Sequence, residues 1–575
     1  MRGALAWLLL VALLAHGTGL ANGFVYDDHR FIVENGALQS AGVGRLVLDP
    51  GAQTADSDRD VYRPLRALGH AFDARTWGLR PFGFHLHSLV VHLLNVCLGH
   101  ALLRRLLPAP SQAPALLGAT VLATHPLGVE VVGWASSRGD LYAVCFAMLA
   151  LLAVLRTDAA RPGAGARRLA WLCLAAALAA LATMGKESAA WLPIAGFLAW
   201  RWLGRIGGAG VTALAAGVGA ALVLRQAALA GLPLSQTAPH GGSALAQVAW
   251  AFYGTGRTLA AIAWPAGLSV EYPQTRWMTL GPAVWIAWPT CLGVAALATV
   301  LIARRRGRRT AAFLLAWVLL AWFPSSSLLV TLRSLVNDRG SYPCLLAAGA
   351  LPGLLLAGRS PRAAWGASVA VALLLVPLGV QRTAVFHDDA SLWRDALRHD
   401  PSSVRAHLGL AAAADDPEAR QREFQAALDV APPGSRMRGI AGARLGDFLL
   451  RGSGDLAAAL PVLRESLELQ RQHRDRGLPG PDEAATAGSL AECLLQLGQA
   501  EESDRVMQEA LREQPGQIML HVKRTALLLF RAERDQDDAA RAAARAALEE
   551  GLARDPEHPL LRALQQRLGE SPQPR

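Results

Sequence analysis

Lysine is almost absent: Lys186 and Lys523 are the only two in 575 residues, and alanine and arginine abound in their place, a bias typical of high-GC bacterial genomes. Charge is scarce too. Only 18% of residues are Asp, Glu, Lys or Arg while 52% are hydrophobic, which excludes a single soluble domain and calls for a membrane domain. The six cysteines form no framework. Cys97, Cys145, Cys173, Cys291 and Cys344 lie in or beside apolar runs and Cys493 stands alone, so neither a zinc spacing nor a disulfide pair is expected. The net charge of +11 sits in short loops between apolar runs, not in a compact basic domain, so nucleic acid is not an expected partner.

What the chain does have falls into two parts. Up to residue 380 there are 30 Lys/Arg against 14 Asp/Glu; beyond it, 26 against 31 in a much shorter stretch. A multi-spanning membrane domain over 1–384 and a soluble domain over 385–575 follow. Apolar runs near 4–21, 85–103, 113–133, 141–156, 169–184, 189–203, 209–230, 282–303, 310–330, 342–357 and 363–380 predict about eleven crossings of some 30 Å of hydrocarbon. The first also reads as a signal peptide, with Arg2 before an apolar core and small residues to Ala21. The stretch 246–266, with Gly254, Gly256 and Pro265, is expected to be re-entrant or interfacial.

Arginine clusters at 104–105, 156–168, 201–205, 304–309 and 359–362 fall between alternate pairs of runs, which makes those loops cytoplasmic. All of the early carboxylates except Asp158 then lie on the other face. The positive-inside rule does not demand this, so carboxylates gathered on one face point to chemistry there.

The first outer loop, about 22–84, opens with Phe24-Val25-Tyr26-Asp27-Asp28-His29-Arg30. Adjacent carboxylates repel, which suits one of them to take a proton, or they jointly hold a cation. Taken alone, such a pair is more often just the start of a solvated loop. Three further outer segments carry charge: His125-Pro126 with Glu130, Arg138 and Asp140; Gly185-Lys186-Glu187; and Asn337-Asp338-Arg339 before Tyr342. Ion pairs at helix ends are the plain alternative for Lys186–Glu187 and Asp338–Arg339. His85, His87, His92 and His100 lie on one presumed helix and read as polar packing more readily than as metal ligands.

Together these segments, with Tyr62-Arg63-Pro64-Leu65 and Arg382…Trp393, resemble the transmembrane and TPR-repeat-containing O-mannosyltransferases and their bacterial homologues in the GT-C class of membrane glycosyltransferases. The resemblance implies an all-α fold, a GT-C-type polytopic helical domain followed by a TPR-like α-solenoid. It also implies inverting transfer of a sugar, mannose among the candidates, from a polyprenyl-phosphate carrier to a hydroxyl of a protein or other acceptor on the non-cytoplasmic face. Asp27 or Asp28 would be the base or a metal contact; metal dependence, and with it a divalent cation as cofactor, stays open. Arg138 is the first choice for the donor phosphate because a guanidinium binds it bidentately, followed by Arg63, Lys186 and Arg339. Glu130, His125, Asp140 and Glu187 would orient substrate. His29 and Arg30 depart from the family pattern, and Asp56-Ser57-Asp58-Arg59-Asp60 reads as a flexible lid.

Beyond residue 385, Ala396-Leu397…Pro401, Ala426-Ala427-Leu428…Pro432, Leu445-Gly446, Leu497-Gly498 and Asp555-Pro556 mark degenerate TPR repeats. Such a superhelix offers a concave surface to a protein or peptide acceptor, or merely cages the membrane domain. Eleven crossings from an inside N-terminus put the repeats outside. That is the periplasm for a bacterial inner membrane, or the lumen for an endoplasmic-reticulum membrane. Competing readings are a TPR-bearing scaffold or transporter for envelope assembly, and a lipid-linked oligosaccharide ligase or polymerase. Ionisable groups at one end of the helices, without a duplicated half, disfavour the transporter.

Overall fold

A computed structural model of the chain describes all residues except 1, 56–60, 109–111, 159–164, 231–242, 273–291, 294–295, 297–298, 301–307, 329, 333, 335, 476–482 and 570–575. The acidic stretch 56–60, most of the apolar run 282–303 and the basic residues 304–307 lie outside the described residues. Every regular element among the described residues is helical. Two compact units form, Met1–Pro401 and Ser402–Arg575.

In the first unit six described helices are long and apolar enough to cross a bilayer: Arg2–Ala21, Pro81–Leu106, Ala135–Thr157, Gly165–Gly185, Gly208–Ala228 and Pro361–Val385. A seventh candidate is broken. Gln112–Thr124 and Pro126–Val132 meet at 54° because Pro126 disfavours helical backbone at His125 and removes a donor. Three of the other expected runs give short helices, Leu192–Leu203, Arg308–Trp322 and Tyr342–Gly353. At 1.5 Å per residue these reach only about 18–23 Å, less than the hydrocarbon thickness. The stretch expected to be re-entrant or interfacial forms one helix, Ala244–Ala263, outside the set long and apolar enough to cross.

Small residues set the packing of this unit. A Cβ on Gly217 would stand 2.0 Å from the Ala176 carbonyl oxygen, and one on Gly118 would stand 2.6 Å from that of Leu346, so those backbones meet only because both positions are glycine. The first helix is part of this core. Leu8, Val11, Ala12 and Ala15 are buried, and the Trp7 indole donates to Ser368 Oγ at 2.9 Å.

The first loop folds into short helical turns and one longer helix, Pro64–Trp77, begun by Pro64 at a position where no backbone donor is lost. Phe31, Ile32, Leu38, Leu46 and Phe84 give the loop its own apolar core. It is therefore a packed platform at one end of the helices.

The second unit stacks antiparallel helix pairs, beginning with Val404–Ala413 against Pro417–Val430 and Arg436–Phe448 against Leu456–Asp475. Ser403, Asp416, Ser435 and Asp537 cap their helices by accepting a backbone N–H. Gly446 sits where a Cβ would come 2.6 Å from Leu463, so the two helices approach closely at this glycine. Arg451–Glu492 at 2.6 Å and Arg464–Glu502 at 2.7 Å link neighbouring pairs.

Candidate active site

The loop segments singled out in the sequence meet at one end of the first unit. Asp27 and Asp28 part company there. Asp28 is fully buried; its carboxylate accepts the Ser136 N–H at 2.7 Å and the Val25 N–H at 3.2 Å, pinning the first loop to the 134–137 turn. Burial pushes its pKa up to about 7 against the pull of those hydrogen bonds. Asp27 instead meets Arg30 Nε at 3.1 Å and keeps 17% of its side chain exposed. The two carboxylates thus serve different partners in the fold. Among the described residues no three of His, Cys, Asp or Glu gather as a metal set.

Cations collect beside Asp27. Arg63 grips Glu187 through two bonds, Nη2 to Oε1 at 2.8 Å and Nε to Oε2 at 3.2 Å. Burial pushes the Glu187 carboxyl up, but Arg63 outweighs this and holds it below the usual range. Lys186 gives its ammonium to both oxygens of Asp140, at 2.7 and 2.8 Å. Burial lowers its pKa despite that partner.

Arg66, in the first turn of the Pro64–Trp77 helix that Arg63 precedes, was not singled out in the sequence. Its guanidinium is 98% buried and lies 3.9 Å from the Phe31 ring centroid, with Arg30 4.4 Å from the same ring. Nε and Nη2 of Arg66 make no hydrogen bond among the described residues. Burial and then the neighbouring Arg63 charge depress its pKa to about 9, while Asp27 acts the other way. The i, i+3 spacing of two arginines at the start of a helix following Tyr62 was the signal available for it.

Arg138 is placed differently from expectation. It is wholly buried and bonds Asp73, the Phe84 carbonyl at 2.6 Å and Ser88 Oγ at 3.2 Å. Its donors are spent inside the fold, which leaves no face for a phosphate in this structure. Asp73 also takes His87 at 2.8 Å and was passed over in the sequence. His125 is buried, accepting the Leu127 N–H through Nδ1 at 3.2 Å with Nε2 3.1 Å from the Ile262 carbonyl, and so holds the helix break.

Glu130 is buried beside Arg339. The Arg339 N–H donates to it at 3.2 Å, and the guanidinium stands 3.7 Å from the carboxylate and 4.7 Å from the Trp134 ring. Tyr26 reaches the far side of the loop. With φ of 51° it stacks on Trp134 and meets Trp393, while its N–H and His29 both engage Asp389 at 2.7 and 2.6 Å. That bond raises the His29 pKa. The motifs therefore converge, with Asp27 partly exposed and two nitrogens of Arg66 without a hydrogen bond among the described residues.

Part of the sequence aligns with known proteins. It is 31% identical over 156 residues to the protein O-mannosyl-transferase Tmtc1 of Drosophila melanogaster, 29% over 161 residues to TMTC1 of Mus musculus, and 30% over 197 residues to TMTC4 of Homo sapiens. Part of this chain is similar to the TMTC protein O-mannosyl-transferases. The matches cover 26%, 27% and 31% of this chain and only 18%, 17% and 26% of those proteins, so the chain spans about a quarter or less of the TMTC relatives it matches. No family model matches the chain.

Among solved structures, ArnT from Cupriavidus metallidurans bound to undecaprenyl phosphate is similar at 16% identity, over 86% of this chain and 80% of that one, with a TM-score of 0.36. The TPR protein YrrB aligns over 34% of this chain and 90% of its own, with 18% identity and a TM-score of 0.24. No common fold follows at such scores.

Proposed function

We propose that the chain is an integral membrane glycosyltransferase that moves a sugar, mannose by the name of its TMTC relatives, from a polyprenyl-phosphate carrier to a hydroxyl of a protein acceptor. The observation that carries this is a partly exposed carboxylate, Asp27, whose charge acts on a buried guanidinium, Arg66, two of whose nitrogens make no hydrogen bond among the described residues. Burying a polar group without a partner costs about 1–3 kcal/mol, more for a charged one, so an anion arriving at Arg66 gains what the free protein forgoes.

In this reading Asp27 is the base and Asp28 the positioning residue that fixes the loop. The acceptor oxygen attacks the anomeric carbon as the bond from that carbon to the phosphate oxygen breaks. The hydroxyl proton passes to Asp27 and the electrons of the broken bond leave on the carrier phosphate, facing Arg66 and Arg63. One displacement inverts the anomeric centre. Lys186, Glu187, Asp140, Glu130 and Arg339 set the field and shape around this step through their mutual pairs.

The carboxylate-rich face is read as non-cytoplasmic from the arginine distribution, and the repeats as the part that engages the acceptor or an assembly partner. The test is transfer from polyprenyl-phosphate mannose to acceptor peptides by the purified full chain in lipid. Full activity in both Asp27→Asn and Arg66→Gln would remove the proposed site.

A further inference from the structure

A second cationic feature lies within the first unit, built from residues other than the Asp27 group. The end of the last long helix, Pro361–Val385, the helix Asp389–His399 and the turn after Ala244–Ala263 enclose a cleft of about 420 Å³. Arg382, Arg394, Arg398 and His399 line it, against a single carboxylate, Asp395. None of its lining residues belongs to the cation group around Asp27.

The cationic charge in this cleft is only partly balanced by the described residues. Asp395 is already bonded to Arg382 Nη1 at 2.8 Å. Arg394 and Arg398 are exposed, with neither a hydrogen bond nor an ion pair to the described residues. Arg382 is 93% buried and also stands in an ion pair with Asp338 at 3.7 Å, yet its Nη2 makes no hydrogen bond among the described residues. An unspent guanidinium donor at the base of a cleft, with two uncompensated arginines at its rim, is the arrangement a phosphate oxygen fills. Leu268, Leu378 and Val385 make the rest of the wall apolar.

We infer that this cleft binds a phosphate-bearing anion, seated on Arg382, Arg394 and Arg398 and flanked by an apolar wall. Phosphate on a lipid headgroup and free phosphate share this chemistry. The end of a long apolar helix places the cleft where a headgroup would lie, and the apolar wall gives a lipid a further contact that inorganic phosphate lacks.

The test uses the purified full chain in detergent micelles, titrated by thermophoresis with dihexanoyl phosphatidic acid, inorganic phosphate and dihexanoylglycerol. Arg394→Gln/Arg398→Gln removes the rim charges at exposed positions outside the proposed catalytic group, and Arg398→Gln alone serves if the double variant loses its circular-dichroism signature. Phosphatidic acid binding that weakens about tenfold or more in the variant, with inorganic phosphate a poorer ligand, supports a lipid headgroup. Equal binding of inorganic phosphate, equally weakened, supports free phosphate. Binding unchanged in the variants, no binding of either phosphate, or equal binding of dihexanoylglycerol overturns the inference.

Discussion

Asp28 reaches 108 positions along the chain to accept the Ser136 N–H at 2.7 Å, so one buried carboxylate ties the start of the first loop to the turn before the Arg138–Asp158 helix. Its carboxyl titrates near 7 in the fold, against an ordinary value of 3.8. The folded chain therefore holds this proton more tightly than the unfolded chain. Stability from this group is complete below about pH 4 and is lost as pH rises to about 7. Asp28→Asn removes that titration. Relative to the variant, wild type should lose at least about 2 °C of Tm between pH 4 and 7, read by scanning fluorimetry in one detergent. A constant difference across that range would contradict the buried, proton-holding state.

Asp27 and Arg66 are predicted to separate kinetically. Asp27→Asn should lower kcat about 10²–10⁴-fold with carrier binding retained, because the lost group acts on the acceptor proton. Arg66→Gln should raise KM for the carrier as well as lower kcat, and Arg66→Lys should restore only part, since an ammonium lacks the guanidinium fork. Steady-state kinetics at fixed acceptor concentration decide it. An Asp27→Asn enzyme changed only in KM for the carrier would reverse the assignment.

Arg138 and Asp73 form an ion pair with both side chains fully buried. Removing one partner strands a charge and costs about 3–5 kcal/mol. Arg138→Ala should therefore lower folded protein yield and Tm, and any surviving fraction should retain the wild-type KM for the carrier. A stable Arg138→Ala protein with raised KM would return this arginine to the phosphate site.

How far the sequence could be read follows from the range of each interaction. Long apolar runs announce helices such as Pro81–Leu106 by themselves, and the small residues around Gly446 announce close helix approach, because both signals are local. Charged motifs could be recognised as a set but not matched into pairs. Arg63 takes Glu187 across 124 positions and Lys186 takes Asp140 across 46, so adjacent Lys186 and Glu187 serve different partners instead of each other. Arg138 looked available only because its partner Asp73 was not distinguishable from any other loop carboxylate. Arg66 was hidden for the opposite reason: among the described residues its Nε and Nη2 have no hydrogen-bonding partner, and burial of an arginine leaves no mark in composition.

The repeat unit supplies the last prediction. Gly446 meets Leu463 so closely that a Cβ would come 2.6 Å from both its Cγ and a terminal methyl, within the Arg436–Phe448 and Leu456–Asp475 pair. Glycine costs a helix about 1 kcal/mol relative to alanine, so relief of that cost opposes the clash in Gly446→Ala. Gly446→Val adds two more methyl groups against Leu463, along with the χ1 restriction of a β-branched residue, and overpacking of this kind costs about 1–3 kcal/mol. Because each repeat is held mainly by its neighbours, opening one pair exposes the pairs on either side. Gly446→Val in the full chain should be cleaved by trypsin between residues 404 and 475 at concentrations that leave wild type intact, with Gly446→Ala intermediate. Equal resistance in all three would show that the pair can separate to admit a side chain.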